Sequence, residues 1–366
     1  MPAPRRKSLT CFISHAPHFE SCMPVLLALH RRGRVDVAPV ISARMKHTDP
    51  GIVQALRDSG IPHRFVTRAR IELFSWLDLR RADAVLSYGD PLAWRKALRL
   101  RDGFLIRSGK PSVFIQHGLL QEGINLDDPK LGDRWYASLL LWWDRLDPAV
   151  SSFLSQEVRA RVRRVGFIKR NCLGLRPVPS AVAQRLAGYR QRLLVATSVP
   201  GQTHRFSLET LDRTYAMFAD FARANPDVLL IMRPHRGKQD DLGRRLDETL
   251  AAAHDNVIVM DRYKGDFAYW NIHDSLQMCD GVVAHASSAV LDALYADKPT
   301  AMLYNDWPVF DGLTDIRTLD ALSGFSAGLA GIDTRANPVR QRFGELDANL
   351  DMAAALIEDL LLRPGH

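Results

Sequence analysis

Short unbroken apolar runs alternate along the chain with longer stretches in which apolar residues recur every three or four positions. The first pattern predicts strands buried on both faces of a parallel sheet, and the second predicts amphipathic crossover helices. In the first half the runs fall at 9–14, 35–41, 63–66, 84–87, 112–115 and 138–143, with 165–168 as the last strand. Helices are predicted over 22–32 and 53–59, and in a polar, basic form near 92–101.

The segment 171–180 then carries Gly174, Pro177 and Pro179 without sustained periodicity, the composition of a connection. Beyond it the rhythm restarts, with strands at 193–197, 228–232, 257–260, 281–284 and 300–304. Helices are predicted at 208–224, 242–253, 275–278 and 288–295, and a Gly- and Asp-rich loop region leads to a terminal helix at 346–361. Two Rossmann-like α/β domains facing a cleft are expected, spanning 1–170 and 191–345, with a linker over 171–190 and a helix and tail over 346–366.

Composition agrees with a folded body: 46% of the 366 residues are hydrophobic and 25% charged. The net charge is +8, and nine lysines among 49 cations leave forty arginines. Guanidinium forks suit phosphate and carboxylate, so anionic partners fit, as does a merely solvated basic surface. Four cysteines, Cys11, Cys22, Cys172 and Cys279, lie far apart without metal-ligand spacing, which points to a reducing cytoplasm and to no metal site.

The basic start, Met1 to Lys7, is followed by an apolar stretch broken by Ser14, His15, Pro17 and His18, so no secretion signal is expected. The most apolar run, 139–143, is far shorter than the ~20 residues that span a bilayer. A soluble protein is expected, cytoplasmic, with peripheral association at the inner membrane face left open. Trp135, Tyr136, Trp142 and Trp143 fit an aromatic strand in a buried sheet better than an interfacial belt.

In open α/β sheets, ligands bind beyond the carboxyl ends of strands, so chemistry is sought there. Gln116-His117-Gly118 follows the run 112–115 and makes His117 the leading general base, since imidazole exchanges a proton near neutral pH. Gly118 would permit a tight turn or close ligand approach. Arg233-Pro234-His235-Arg236 follows the run 228–232 and reads as an anion site, or as a surface loop balanced by Asp240 and Asp241. Ser287 and Ser288 sit where a helix should begin, reading as an N-cap whose free N–H groups could receive phosphate. Ser198 to Gly201 forms a small-residue turn that could face a nucleotide phosphate. His15 and His18 follow the first strand and Asp90 follows the fourth, which makes them candidates for the acceptor side.

There is no GxGxxG after the first strand, no GxxxxGK[ST], no HExxH and no Asp-x-Asp pair. Dehydrogenase, P-loop ATPase and zincin chemistries are therefore not expected. No aromatic-basic nucleic-acid motif is present either, leaving a basic binding protein as a minor alternative.

The order of these pieces, with Asp292 and Lys298-Pro299 beyond the serine pair, resembles the bacterial CDP-glycerol glycerophosphotransferase family over roughly residues 110–305. Those enzymes build teichoic-acid-like and capsular polymers. The stretch from His273-Asp274-Ser275-Leu276 through Cys279-Asp280 to the serines is similar to that family's donor-site segment, although His285-Ala286 stands where Asp-Tyr is usual. The resemblance implies the GT-B fold and a nucleotide-diphosphate donor held by the second domain, without a cofactor or bound catalytic metal. His117 would be the base, and Arg233, His235, Ser287 and Ser288 would hold the pyrophosphate. Asp292 would support the loop or contact the donor. Transfer of a glycerophosphate-like or sugar group to a surface glycan or lipid-linked acceptor is the main expectation. Similar elements in capsule sugar transferases, including Kdo and sialic acid enzymes, keep a glycosyl donor open, and a nucleotide-sugar epimerase of the same shape is a further alternative.

Overall fold

The computed structural model describes residues 5–87, 107–119, 135–145, 154–198, 207–234 and 242–363. The chain divides into two compact units, Met1–Gly174 with Phe343–His366, and Leu175–Arg342. The predicted helix near 92–101 lies outside the described residues.

The first unit is a seven-stranded parallel sheet made of β1 (Ser8–Ile13), β2 (Asp36–Ser42), β3 (Arg64–Val66), β4 (Ala84–Ser87), β5 (Ser112–Ile115), β6 (Leu139–Trp142) and β7 (Val162–Arg164). Their spatial order is β3-β2-β1-β4-β5-β6-β7, so the winding reverses between β1 and β4. Register places Leu9 opposite both Val37 and Ala84. The strands read as continuous apolar runs because helices cover both faces. Behind β5 and β6, Phe114, Trp135 and Trp142 form an edge-to-face cluster. Three of the four aromatics of this stretch are therefore core, and Tyr136 is exposed.

The second unit is a six-stranded parallel sheet made of β8 (Gln191–Ala196), β9 (Val228–Arg233), β10 (Val257–Val259), β11 (Gly281–Ala284), β12 (Thr300–Leu303) and β13 (Thr314–Ile316). Its order is β10-β9-β8-β11-β12-β13, reversing between β8 and β11. Leu193, Val195, Leu230, Met232 and Val283 build its core against Leu211, Phe218 and Phe221 of the helix Leu208–Ala224. Ser207 caps that helix by accepting the N–H of Thr210.

Three expectations are corrected. The last strand of the first sheet is Val162–Arg164, and the apolar run 165–168 lies beyond it. Gly166 adopts φ 76, a left-handed conformation that turns the chain off the sheet. Phe167 then donates its N–H to the Phe343 carbonyl, and Asn349 of the terminal helix Leu346–Leu362 donates from Nδ2 to the carbonyls of Phe167 and Phe343. The first helix begins at Ala16 rather than near residue 22, because Pro17 sits in its first turn, where its missing N–H costs nothing. The loop region before the terminal helix holds β13 and the helices Leu319–Gly328 and Pro338–Phe343.

The terminal helix is bound firmly to the first unit: Arg32 and Arg34 donate to Oε2 of the fully buried Glu358 at 3.0 and 3.1 Å. Buried Lys169 lies 3.3 Å from the carboxylate of Glu20 on the helix Ala16–Arg32. No helix among the described residues is long and apolar enough to cross a membrane.

Candidate functional site

In the first unit, β1 ends at Ile13 and the chain passes through Ser14 and His15 into the helix Ala16–Arg32. His15 takes extended N-cap geometry, φ −147 and ψ 154, which brings His18 of the first helical turn near it. The rings of His15 and His18 meet edge to face at 5.1 Å between centroids, and those of His18 and His117 at 6.2 Å. Ser14 Oγ lies 3.4 Å from His18 Nδ1. Three imidazoles singled out separately in the sequence are thus one cluster beyond the ends of β1 and β5. Among side chains, imidazole is the one that gains or loses a proton near neutral pH, so the cluster can serve proton transfer.

A neighbour that sequence reasoning passed over holds this loop in place. Gln116 is almost wholly buried; its amide nitrogen donates to the Gly118 carbonyl at 2.8 Å, and its Oε1 accepts the Trp143 N–H at 2.7 Å. These bonds fix the backbone on both sides of His117 to the end of the next strand. Among the described residues, no group of three or more His, Cys, Asp or Glu is placed to hold a metal.

In the second unit, Arg233 ends β9 and its Nε donates to Ser275 Oγ at 3.1 Å. Ser275 in turn donates to the Asn271 carbonyl. It lies on the short helix Ile272–Leu276, whose consecutive residues reach three different partners. His273 Nε2 is 3.8 Å from Oδ1 of buried Asp292. Asp274 closes a capping box with Asn271 and also accepts the backbone N–H of Arg176 at 2.9 Å. At the end of β8, the Ser198 N–H donates to His285 Nδ1 at 3.1 Å, which makes Nδ1 an acceptor and puts the ring proton of the neutral form on Nε2. Arg233 and Asp292 are therefore linked through Ser275 and His273 of one short helix, and Ser198 is tied separately to His285.

The serine pair differs from expectation. Ser288 occupies the N-cap position of the helix Ala289–Tyr295 with helical φ −65 and ψ −17, and its side chain makes no capping bond. Ser287 Oγ instead accepts the Ala289 N–H at 3.3 Å. The extended backbone that lets an N-cap side chain reach back is absent at Ser288, so the capping role passes to its neighbour. His235, Gly201 and Asp90, with Arg236, Asp240 and Asp241, lie outside the described residues.

Burial pushes the thiols of Cys172 and Cys279 up to about 12, so neither supplies thiolate near neutral pH. Lys298, two residues before β12, donates to the Cys279 carbonyl and ties the β11 and β12 connections together.

No family model matches the chain, and no curated protein matches it by sequence. Its fold matches solved structures over the whole length. A putative UDP-N-acetylglucosamine 2-epimerase from Listeria monocytogenes superposes with a TM-score of 0.64 at 12% identity, covering 98% of this chain and 97% of that one. An S. aureus MnaA–UDP co-structure gives 0.63 at 12% identity, with 98% of each chain covered. A UDP-GlcNAc 2-epimerase from Methanocaldococcus jannaschii, in complex with UDP-GlcNAc and UDP, gives 0.57 at 10% identity, covering 96% and 99%. The likeness establishes two parallel-sheet Rossmann-like units of the GT-B type. It does not carry the narrower resemblance to glycerophosphotransferases.

Proposed function

We propose that this protein is an enzyme of nucleotide-sugar chemistry, acting on a sugar carried by a nucleotide diphosphate, and that its first reaction to test is epimerisation. The observation that carries this reading is the correspondence of both units, end to end, with a UDP-GlcNAc 2-epimerase in complex with UDP-GlcNAc and UDP and with the MnaA–UDP co-structure. The polar groups at the ends of β8, β9 and β11 support it, since a guanidinium, hydroxyls and backbone N–H groups at strand ends suit a pyrophosphate. Arg233, Ser198, Ser287 and Ser288 are assigned to the phosphates, with Asp292 as their support; His235 and Gly201 belong to the same proposal. Epimerisation takes a proton from the stereocentre and returns one on the opposite face, a task for His117 with His18 and His15 beside it. No cofactor or metal is part of this proposal.

A second reading is favoured by the way Gln116 braces the loop of His117. A single held imidazole is what a transferase needs to deprotonate an acceptor hydroxyl, with His15, His18, Gly118 and Asp90 on the acceptor side. The transferred group would be a sugar or glycerophosphate, and the acceptor a surface glycan or lipid-linked chain.

Thermal shift with UDP-, CDP-, CMP- and GDP-linked donors tests the shared premise. Ligand at 100 times its dissociation constant adds about 2.7 kcal/mol of stability. If no donor raises the midpoint, the reading fails. NMR of UDP-GlcNAc with enzyme in deuterated water then separates the two reactions. Epimerisation converts donor alone and exchanges a carbon-bound proton with solvent, whereas transfer leaves donor unchanged until a hydroxyl acceptor is added.

A further inference from the structure

The helix Arg68–Leu79 of the first unit is built inside out. Its inner stripe, Ile71, Ser75, Asp78 and Leu79, is buried, with Ile71 and Leu79 packing on Phe12, Val40 and Val85. That stripe contains a carboxylate, Asp78, which is neutralised by Arg64 and Arg70. The outward face, where a surface helix ordinarily carries charge, presents Leu73 and Phe74, 45% and 48% exposed, beside half-buried Trp76 and Leu77. Residues 70, 73, 74 and 77 share one face by their three- and four-residue spacing. Two large apolar side chains side by side on the solvent face are an unusual expenditure for a water-facing helix, and they mark a surface meant to be covered.

The rim of this face is basic. Exposed Arg80 and Arg81, three and four residues beyond Leu77, follow its last turn. From residue 64 to 81 the chain holds five arginines against Glu72 and Asp78. Lys110 adds a further cation at the helix end, its Nζ donating to the carbonyls of Leu79, Arg80 and Ala82. An apolar stripe bordered by arginine, whose alkyl stem can lie along a nonpolar surface while the head reaches outward, is complementary to one occupant in particular: a lipid surface with anionic headgroups. A nucleic acid would use the cations and leave Leu73 and Phe74 in water, and an apolar protein groove would leave the arginines unmatched.

We propose that the face formed by Leu73, Phe74 and Leu77, with Arg80 and Arg81 beside it, docks the protein reversibly on an anionic membrane surface. The proposal is independent of the reaction the enzyme performs. The helix lies in the interface plane: its twelve residues span about 18 Å, too short to cross, and its inner stripe stays on the sheet.

Co-sedimentation of the full chain with phosphatidylcholine vesicles, with and without phosphatidylglycerol, tests it. Binding is expected only with phosphatidylglycerol and is expected to weaken as salt rises. The double variant Leu73→Ser, Phe74→Ser should lower partitioning by at least about tenfold, and each of Arg80→Gln and Arg81→Gln by about fivefold. All four positions are exposed, so a thermal midpoint equal to the parent's shows that the fold is kept. Absence of phosphatidylglycerol-dependent sedimentation overturns the proposal, as does equal binding by the Leu73/Phe74 variant. Concentration-dependent self-association that the same variant abolishes, seen in sedimentation velocity without lipid, would assign the face to a second copy and overturn it too.

Discussion

Both units wind a parallel sheet outward from a central pair, β1 and β4 in one, β8 and β11 in the other, and both carry polar side chains just past the strand ends. Past β1 and β5 the first unit gathers imidazoles: His18 meets both His15 and His117 ring to ring. Past β9 and β11 the second unit gathers a guanidinium, a hydroxyl and a carboxylate, joined through the short helix Ile272–Leu276. One architecture thus presents two kinds of chemical group beyond its strand ends, imidazoles in the first unit and a guanidinium with a hydroxyl and a carboxylate in the second. The fold decides where polar groups stand, and residue type decides what they do there.

The comparison is broken most severely at His117. His117→Ala should lower turnover about 10²–10⁴-fold while the nucleotide-induced thermal shift is kept. Undiminished turnover in steady-state assays would remove proton chemistry from the first unit. Next in size is Gly166→Ala. A Cβ there would stand 2.3 Å from the Phe343 carbonyl oxygen and 2.4 Å from Asn349 Nδ2, at φ 76. We expect a loss of about 3 kcal/mol in urea unfolding, falling on the first unit's transition. A shift below the usual scatter of surface substitutions would mean that the terminal helix adjusts freely.

Arg233→Ala tests the other side of the contrast. Loss of a charged donor is expected to weaken nucleotide binding by about 10- to 100-fold in calorimetry, with the melting midpoint of the unliganded protein little changed. Unaltered affinity would move the anion site elsewhere. The smallest effect is expected at Asp297, which carries an unusual positive φ of 54. Hydrogen bonding to Arg340, opposed by partial burial and aided by Arg335, holds its carboxyl below the usual carboxylate range. A depressed folded value stabilises the protein above the unfolded value near 3.9, and that contribution is lost as pH falls through the folded value. Asn tolerates the same backbone, so Asp297→Asn should cost less than about 1 kcal/mol at neutral pH, the pair being half exposed. The gap between variant and parent midpoints should close in acid. A gap that widens below pH 4 would show the opposite sign.

Much of this contrast was legible before the structure. The runs 112–115 and 281–284 and the helices 208–224 and 242–253 fall where periodicity puts them, since each is a strong single-period signal. The last strand of the first sheet was misplaced because the run 165–168 is apolar for another reason, burial beside a helix that arrives some 180 residues later. β13 and the helix Leu319–Gly328 were missed because they are short, and their signals, such as the Thr318 cap accepting the Ala321 N–H, are spread among glycines and aspartates. At the sites, His15, His18, His117 and Arg233 could be found because imidazole and guanidinium at strand ends are chemically conspicuous. Ser275 and His273 fall in the segment that the resemblance marks, but their partners Arg233 and Asp292, like those of Gln116, could not be read there, because a polar side chain announces a supporting role only when its partner is in view.

The salt link from Arg32 and Arg34 to Glu358 joins residues 326 and 324 positions apart, and the body it completes is interrupted by Leu175–Arg342. During synthesis the interior segment, contiguous and complete in itself, leaves the ribosome before its elder neighbour has received its closing piece. The body begun first is therefore finished last, and a ribosome stalled short of residue 346 would release a protein whose second half is mature and whose first half still waits.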